Sequence, residues 1–336
     1  MAQAFTEPAV RPRVVVTQWI HPEAARVLAE FCETVLNDSR AALPGPELLA
    51  RCRDAQGLMA FMPDRVDEAF LAGCPGLQVV AAALKGYDNF DVEAMRRRGI
   101  AFCIQEDLLT APTAELALAL MLGLGRHLLE GDAHVRGGAF RGWQPRFYGI
   151  GLEGSRVGLL GMGRLGRALA ARLKPMGCRV QYCDPRPLSA REEQELGAAA
   201  AGFEDLVRTA DYLVVLLPLT AQTRGLLGRE TLARLKPGCL LVNVSRGGVV
   251  DEEAVAGLLE QGSLGGYAAD VFAMEDWALP GRPSSIPGQL LDQRARTLFT
   301  PHLGSAVASV RLAIELKAAQ QLRAWFRGDV PDGRVC

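Results

Sequence analysis

A glycine triplet with the spacing Gly-x-Gly-x-x-Gly, at Gly161, Gly163 and Gly166, constrains the fold of this chain more than any other feature. The apolar run 157–160 precedes it, a helical pattern follows, and a second apolar run ends at Asp184. Glycines at a strand-to-helix turn let backbone N–H groups and the positive end of a helix approach a pyrophosphate. An acidic residue about 20 residues later can accept hydrogen bonds from ribose hydroxyls. The pattern therefore predicts a dinucleotide-binding α/β unit.

The position of this motif indicates a second folding unit. The chain has 336 residues, and the motif begins only at Gly161. A domain usually holds roughly 150 residues, so this length accommodates two hydrophobic cores. We expect a substrate domain formed by residues 1–110 and 305–336, and an NAD-binding domain formed by residues 111–304. The last helical pattern returns to the first domain in this scheme, because no strand is left for it to follow.

Short apolar or β-branched runs alternate with helical patterns along both parts of the chain. This alternation is typical of a parallel sheet with helices on its faces. One long apolar helix is expected from Thr113 toward His134, as the crossover between the domains. The predicted fold class is therefore α/β, with two doubly wound parallel-sheet (Rossmann-like) domains and a cleft between them. The expected strands are 14–17, 58–61, 77–84 and 100–103, then 157–160, 179–183, 212–217, 240–243, 266–271 and 297–300.

Composition and charge exclude several kinds of partner. Lys and Arg total 37 against 38 for Asp and Glu, so the formal net charge of -1 attracts neither nucleic acid nor an anionic membrane. No apolar run is long enough to span a bilayer, and the first dozen residues lack the apolar core of a signal peptide. The eight cysteines form no Cys-x-x-Cys pair and have no neighbouring histidine. We therefore expect a cytoplasmic protein with reduced, mostly buried cysteines and no metal site.

Three residues suited to acid–base or anion-binding chemistry follow expected strands of the second domain. Arg246, Glu275 and His302 each come a few residues after one of the last three strands. Ligands of open α/β sheets bind beyond the carboxyl ends of the strands. A guanidinium binds an oxyanion, an imidazole exchanges a proton near neutral pH, and a carboxylate orients that imidazole. Together they indicate an acid–base site, whereas singly they could be a surface cation, a solvated loop carboxylate and a capping histidine.

These features resemble the family of NAD-dependent D-2-hydroxyacid dehydrogenases, from about residue 13 to residue 325. The shared pattern is a central glycine motif, an Arg-Gly segment, a Glu after Asp-Val-Phe, and Thr-Pro-His. Within the family, the chain is most similar to the phosphite-oxidising subfamily, the phosphite (phosphonate) dehydrogenases. The segments that carry this similarity are AFMPD (60–64), ALKGYDNFD (83–91), GWQP (142–145) with Tyr148, GYAADVF (266–272) and TPHLGSAV (300–307).

The resemblance implies a role for each of several residues. His302 would be the catalytic base, oriented by Glu275, while Arg246 and Lys85 would hold the substrate anion. The implied substrate pocket is lined by Met62, Leu84, Gly86, Tyr148 and Ser305, with Trp143 nearby as an expected contribution of a neighbouring subunit. The implied NAD-binding residues are Gly161, Gly163, Arg164, Leu165, Gly166, Asp184, Leu217, Pro218, Val244, Ser245, Asp270 and Gly304. Ser245 stands where phosphite-oxidising members usually have Cys, and Asp184 replaces a Glu found in some of them.

Lys85 distinguishes the subfamilies physically. The resemblance indicates that many hydroxyacid dehydrogenases have a small residue there, which leaves backbone N–H groups and one Arg for a monoanionic carboxylate. Phosphite is largely a dianion at neutral pH, and a second cation in addition to Arg246 suits that charge. The alternative is a lysine on a loop edge that faces solvent.

The sequence thus predicts oxidation of phosphite to phosphate, with hydride transfer to NAD+ and with water, deprotonated by His302, as the nucleophile. Two alternatives stay open: a D-2-hydroxyacid dehydrogenase or glyoxylate-type reductase, and a non-catalytic NAD-sensing interaction protein. Asp184 favours NAD over NADP, because its carboxylate repels a 2′-phosphate. Surplus apolar surface on the helix from Thr113 predicts a homodimer.

Overall fold

The computed structural model describes residues 11–279 and 281–336, which divide into two compact units. Unit 1 holds residues 11–109 and 307–336, and unit 2 holds residues 110–306 apart from residue 280. Residues 1–10, where the sequence predicts no signal peptide, lie outside the described residues. Each unit is an α/β domain built on one parallel sheet, which confirms the predicted α/β class with two parallel-sheet domains. The cleft between the domains stays a prediction.

The sheet of unit 1 is parallel throughout and has the strand order β2-β1-β3-β4-β5. Val14 and Val16 face one hydrophobic cluster while Val15, between them, faces the other, so the core covers both sides of the sheet. This 2-1-3-4-5 order is a common doubly wound arrangement. Its elements are β1 (Arg13–Val16), α1 (Pro22–Ala29), β2 (Glu33–Val35), α2 (Gly45–Cys52), β3 (Gly57–Ala60), α3 (Glu68–Ala72), β4 (Val79–Ala82), α4 (Val92–Arg97) and β5 (Ala101–Cys103).

Unit 2 begins with two helices and then builds a seven-stranded parallel sheet in the order β12-β11-β10-β9-β6-β7-β8. Counted from β6, this is the Rossmann order 3-2-1-4-5-6 with one further strand. The direction in which successive strands are added to the sheet reverses between β6 and β9. Its elements are α5 (Thr110–Gly125), α6 (Leu128–Arg136), β6 (Arg156–Leu160), α7 (Arg164–Leu173), β7 (Arg179–Cys183), α8 (Ala190–Leu196), β8 (Ala198–Ala200), α9 (Phe203–Thr209), β9 (Tyr212–Val215), α10 (Arg229–Leu232), β10 (Leu240–Asn243), α11 (Glu252–Glu260), β11 (Gly266–Ala269), α12 (Gly288–Asp292) and β12 (Thr297–Phe299).

The last helix, α13 (Ala308–Phe326), belongs to unit 1. It packs against α1, β3 and β4. Its buried residues Ile314, Ala318 and Leu322 join the hydrophobic cluster that contains Val14 and Val16. The chain therefore leaves unit 1 after β5 and completes that unit only with its final helix.

The prediction of one continuous helix from Thr113 toward His134 was wrong. The structure has two helices, because His127 adopts a left-handed conformation with φ 52°. The carbonyl of Gly125, at the end of α5, accepts a hydrogen bond from the Ile150 N–H at 2.8 Å. A side chain at Gly125 would meet the Tyr212 hydroxyl, so β9 closes over this end of the helix.

The surplus apolar surface also lies elsewhere than expected. The apolar residues of α5 pack against α7, β10, β11 and β12, and many of them are buried in the core of unit 2. More than half of the exposed large apolar side chains in the described residues belong instead to α6 and the segment that follows it. This exposed segment comprises Leu128, Leu129, Val135, Phe140, Trp143, Tyr148 and Ile150.

Within the described residues, no helix is long and apolar enough to cross a membrane. A cytoplasmic location stays a prediction. Five of the eight cysteines are buried and the other three are half-buried, all as free thiols, which confirms that most are buried. No group of three or more His, Cys, Asp or Glu in the described part of the chain could hold a metal ion.

Candidate active site

The glycine turn between β6 and α7 has the shape that a pyrophosphate requires. Gly161 has φ 104°, which an L side chain rarely adopts, and a side chain at Gly166 would lie 2.4 Å from the Gly161 carbonyl oxygen. Gly163, at the start of α7, has nothing within 4 Å of the position that a side chain would take. As the N-cap residue of α7, Gly163 makes no side-chain capping hydrogen bond to the first turn of this ten-residue helix. The backbone N–H groups of that first turn fit an anionic phosphate approaching the open side of the glycine turn.

Asp184, at the end of β7, is fixed beside the same turn. Its Oδ2 accepts a hydrogen bond from the Met162 N–H and its Oδ1 accepts one from the Arg186 N–H, both at 2.8 Å. A carboxylate has about four acceptor positions, so two remain for ribose hydroxyls. The side chain is half-buried. The residues of this chain therefore fit NAD on both counts, phosphate and ribose.

The remaining residues implied for NAD follow other strands of unit 2. Leu217 and Pro218 come after β9, and Gly304 comes after β12. Val244, which is buried, and Ser245 come after β10. All lie on the carboxyl side of the sheet, where nucleotides bind in doubly wound folds.

Asn243, a residue that sequence reasoning missed, shapes the loop after β10. Its Oδ1 accepts hydrogen bonds from the N–H and the hydroxyl of Ser245 at 3.0 Å, and its Nδ2 donates to the Arg246 carbonyl at 2.9 Å. An Asn that closes a strand and bonds to the backbone two or three residues later is a typical turn former. That signal was available in the sequence.

His302 and Glu275 form a hydrogen-bonded pair. His302 Nδ1 lies 2.7 Å from Glu275 Oε2, and both side chains are about a quarter exposed. Glu275 Oε1 accepts a second hydrogen bond from the Phe272 N–H at 2.8 Å, so the carboxylate is held at both oxygens. A carboxylate that binds Nδ1 leaves Nε2 as the nitrogen that can exchange a proton with a substrate. This is the arrangement of a general acid–base group and its orienting partner.

Asp270 holds the backbone that presents His302. His302 has φ 57°, and its N–H donates to the Asp270 carbonyl at 2.8 Å. The Asp270 carboxylate accepts from Leu303 N–H at 2.6 Å, from Gly304 N–H at 2.8 Å and from the Thr300 hydroxyl at 2.6 Å. Burial raises the pKa of Asp270 although these bonds oppose the shift. Asp270, implied by the resemblance as an NAD contact, therefore organises the histidine loop.

The loop that carries Arg246 is docked onto the turn that carries Glu275. A side chain at Gly247 would lie 1.9 Å from the carbonyl carbon of Phe272, so the two backbones are in direct contact. The Gly248 N–H donates to Asp276 Oδ2 at 2.7 Å. Arg246 itself is half-buried, and its guanidinium donates to the Ser245 carbonyl at 2.8 Å. Arg246, Glu275 and His302 thus follow the adjacent strands β10, β11 and β12.

The other implied substrate residues divide between the units. In unit 1, Met62 follows β3, while Leu84, Lys85 and Gly86 follow the neighbouring strand β4. Lys85 is half-buried, whereas the Leu84 side chain is fully buried in the core, so only its backbone can meet a ligand.

Two residues that sequence reasoning missed fix the turn at Met62. Asn89 Nδ2 donates to the Met62 carbonyl at 3.1 Å, and the Phe61 N–H donates to Asp64 Oδ2 at 2.7 Å. Asp64 is buried, and its carboxylate also accepts a hydrogen bond from the Thr17 hydroxyl, directly after β1. The motif AFMPD pointed to this turn, but not to the buried carboxylate within it.

In unit 2, Ser305 follows the histidine loop and is half-buried. Trp143 and Tyr148 lie in the exposed segment after α6, with 82% and 76% of their surface accessible. As they stand, these two aromatic side chains are surface groups of unit 2. Their expected role at a substrate pocket stays a prediction.

Comparison with known proteins places the chain in a family. The model of the D-isomer specific 2-hydroxyacid dehydrogenase NAD-binding domain matches residues 118–304. The glyoxylate reductases of Thermococcus litoralis and Aeropyrum pernix are 34% and 36% identical, each over 97% of this chain, covering 97% and 96% of their own lengths. A solved structure from Thermus thermophilus superposes with a TM-score of 0.85 at 36% identity, over 96% of this chain and all of that one. With its glycine turn, its His–Glu pair and these relatives, the chain belongs to the D-isomer specific 2-hydroxyacid dehydrogenase family, whose members are NAD-binding oxidoreductases.

Proposed function

We propose that this chain interconverts a small 2-oxo acid and its 2-hydroxy acid with NAD as the hydride carrier, and acts as a glyoxylate-type reductase. The observation that carries the proposal is the hydrogen bond between His302 Nδ1 and Glu275 Oε2. These two residues follow β12 and β11, and Arg246 follows β10, the next strand of the same sheet. The names of the two glyoxylate reductases that align along the whole chain support the substrate class.

In this proposal each site residue has one task. The Arg246 guanidinium binds the substrate carboxylate through its planar donors. Protonated His302 donates from Nε2 to the carbonyl oxygen as it becomes a hydroxyl, and Glu275 stabilises the imidazolium. NAD supplies or accepts the hydride when bound. The balanced reaction is glyoxylate, NADH and a proton giving glycolate and NAD+.

A four-substrate assay tests the proposal. The purified protein is offered glyoxylate with NADH, and separately D-glycerate, D-lactate and phosphite with NAD+, while absorbance at the NADH band is followed. We expect NADH oxidation with glyoxylate and slower reverse reactions with the hydroxy acids. A reaction with phosphite alone would reject the proposal. Silence in all four assays with NAD still bound would favour a non-catalytic NAD-sensing protein.

Phosphite oxidation is a second candidate, favoured by Lys85 and the segment ALKGYDNFD around it. Here His302 would take a proton from the water that attacks phosphorus, so that phosphite, water and NAD+ give phosphate, NADH and a proton. Two cations, Arg246 and Lys85, would suit a dianion, whereas one suffices for a carboxylate. The three relatives described above are not named for phosphite.

The substitution Lys85→Met separates the two candidates. If the substrate is phosphite, we expect its KM to rise strongly, because removing one member of a charge-assisted pair costs about 2–5 kcal/mol. If the substrate is glyoxylate, its KM should change less than about twofold, or roughly 0.5 kcal/mol. The matched control is Lys317→Met, a lysine of the same unit that pairs with Asp332 at 2.8 Å. Steady-state kinetics at saturating cofactor give both values.

We also propose that the protein forms a homodimer. The interface is the exposed segment, which comprises α6 and the residues after it up to Ile150. Seven large apolar side chains cluster there in sequence, between Leu128 and Ile150, and each is exposed. Such a density of exposed large apolar side chains is typical of an interface between subunits. In a dimer, Trp143 would serve the neighbouring subunit, as the family resemblance implies.

A further inference from the structure

We propose that Glu252 is a positioning residue that sets the geometry of the His302–Glu275 pair, a role that rests on the acid–base function proposed above. Glu252 is the first residue of α11, directly after the N-cap Asp251. It does not belong to the substrate or NAD residues implied by the sequence. Its side chain is buried, with 5% of its surface accessible.

The contacts of Glu252 place it directly behind the turn that carries Glu275. Its Oε1 accepts a hydrogen bond from the Ala273 N–H at 2.7 Å. Its Oε2 is buried without a hydrogen-bond partner among the described residues. Burying a carboxyl group with one oxygen unsatisfied is costly, and the hydrogen bond from Ala273 offsets part of that cost. The side chain is well placed for one task, which is to accept the Ala273 N–H.

Two successive N–H groups of this turn bind two different carboxyl groups. Phe272 N–H donates to Glu275 at 2.8 Å, and Ala273 N–H donates to Glu252. An N–H group buried without an acceptor costs as much as a lost hydrogen bond. Without Glu252, the carboxylates within the same turn are those of Glu275 and Asp276, and that of Asp276 already accepts the Gly248 N–H. Drawing Glu275 toward Ala273 would move it away from His302 Nδ1.

The Gly247 backbone restricts the movements that this turn can make. Gly247 already contacts Phe272 and Ala273 so closely that a side chain there would lie 1.9 and 2.0 Å from their backbone atoms. The turn is therefore fixed by two contacts, with the Gly247 backbone and with the Glu252 carboxyl group. A shift of the turn would move the Glu275 side chain that it carries.

Glutamine is the conservative replacement for Glu252. Burial, with smaller contributions from the carboxylates of Asp276, Glu275 and Asp251, raises the pKa of Glu252 to about 7. The neutral amide has the same length and retains a carbonyl oxygen for Ala273. Leucine has a similar size and offers no acceptor.

The test compares Glu252→Gln, Glu252→Leu and the control Glu253→Leu, an exposed residue on the same turn of α11. The first readout is the ¹⁵N NMR titration of the His302 imidazole in the full-length protein, which needs no substrate. The second is kcat and KM for glyoxylate and for NADH. We expect Glu252→Leu to shift the His302 titration and lower kcat by about tenfold to a hundredfold, as misplacing a catalytic group by about 1 Å does. KM for NADH should stay unchanged, and Glu252→Gln and Glu253→Leu should resemble the wild type.

The inference is overturned if the His302 titration of a folded Glu252→Leu variant equals that of the wild type. It is also overturned if Glu252→Gln lowers kcat and shifts the His302 titration as much as Glu252→Leu does. If Glu252→Leu does not fold, Glu252→Asp replaces it, since the shorter side chain withdraws the acceptor, and wild-type behaviour of that variant contradicts the inference. A wild-type protein inactive on every substrate would reject the proposed function, while the NMR comparison would still decide the role of Glu252.

Discussion

His302 combines a functional side chain with an unfavourable backbone conformation. A left-handed conformation, such as its φ of 57°, costs a residue other than glycine about 1–3 kcal/mol unless its surroundings compensate. The compensation comes from Asp270, whose carbonyl and carboxylate bind the N–H groups of His302, Leu303 and Gly304. The resulting bend brings Nδ1 onto Glu275. Strain in the backbone and the position of the His302 imidazole are therefore parts of one arrangement.

The substitution His302→Asn removes the base while keeping the loop. Asparagine tolerates a left-handed conformation better than most residues, so Asp270 should still bind the loop. We expect turnover to fall by about 10²–10⁴-fold at every pH, with NADH affinity preserved. The control is His134→Asn, a histidine on α6. Activity within a few-fold of wild type, measured beside NADH binding by fluorescence, would show that another group is the base.

Asp64 gives the protein a pH-dependent stability that one substitution should remove. Burial raises the pKa of Asp64 to about 6 from 3.8, while hydrogen bonds from Thr17 and Phe61 oppose the shift. Between these two pH values, the folded protein thus keeps a proton that the unfolded chain releases. The resulting contribution to the free energy of unfolding is complete below pH 3.8 and is lost as the pH rises through 6. Its size is about 3 kcal/mol. Asp64→Asn keeps an acceptor and removes the titration.

Urea unfolding between pH 4 and 8 measures this effect. The free energy of unfolding of Asp64→Asn should rise relative to wild type as the pH increases across that range. Asp54→Asn, at an exposed position of unit 1, should show no such trend. A difference between Asp64→Asn and wild type that stays constant with pH would contradict the assignment.

At the scale of elements, the turn from β6 to α7 and the end of β7 are joined by one hydrogen bond. Asp184 accepts the Met162 N–H, so it supports the glycine turn as well as serving as the proposed ribose acceptor. We expect Asp184→Ala to weaken NADH binding. It should also reduce the preference for NADH over NADPH, because the carboxylate repels a 2′-phosphate by on the order of 1–4 kcal/mol. The ratio of kcat/KM for the two cofactors is the measurement, with Asp205→Ala of unit 2 as the control. An unchanged ratio would remove Asp184 from the ribose site.

The elements that were predictable are those with a strong local signal. The strands 179–183 and 240–243 were predicted at their observed bounds, because Val180 and Tyr182 alternate with polar residues in the first and the second is apolar up to Asn243. The strands β2 and β8 were missed. β2 has no buried residue, and β8 consists of three alanines, a residue type that is depleted in strands. The break at His127 depends on contacts with Tyr212 and Ile150, which are distant in sequence.

The site was predictable at the residues that carry chemistry, and less so at those that support them. Glycine spacing and the positions of strand ends indicate Gly161, Asp184 and His302 from the sequence alone. The supporting carboxyl groups of Asp64 and Glu252 give no such signal, because their role depends on backbone N–H groups that the fold brings to them. Local patterns reveal motifs, whereas tertiary hydrogen bonds require the fold.

At the scale of the whole molecule, the exposed segment, which runs from Leu128 to Ile150, predicts self-association. We expect the wild type to be a dimer by light scattering and the double substitution Leu128→Asp with Leu129→Asp to be a monomer, because two charges would be buried in the interface. Val330→Asp is the control, since Val330 is 80% exposed and lies outside this segment. A wild-type protein with the mass of one chain would contradict the dimer.

The central claim is that this protein moves a hydride between NAD and the carbonyl carbon of a small 2-oxo acid, with His302 as the proton donor. The most direct test incubates the enzyme with glyoxylate and NADH deuterated at C4, and measures the glycolate by mass spectrometry. We predict glycolate with one deuterium on carbon from the wild type, and at least about 100-fold less from His302→Asn. Absence of deuterated glycolate, together with transfer of deuterium from P-deuterated phosphite to NAD+, would contradict the claim and establish the phosphite reaction in its place.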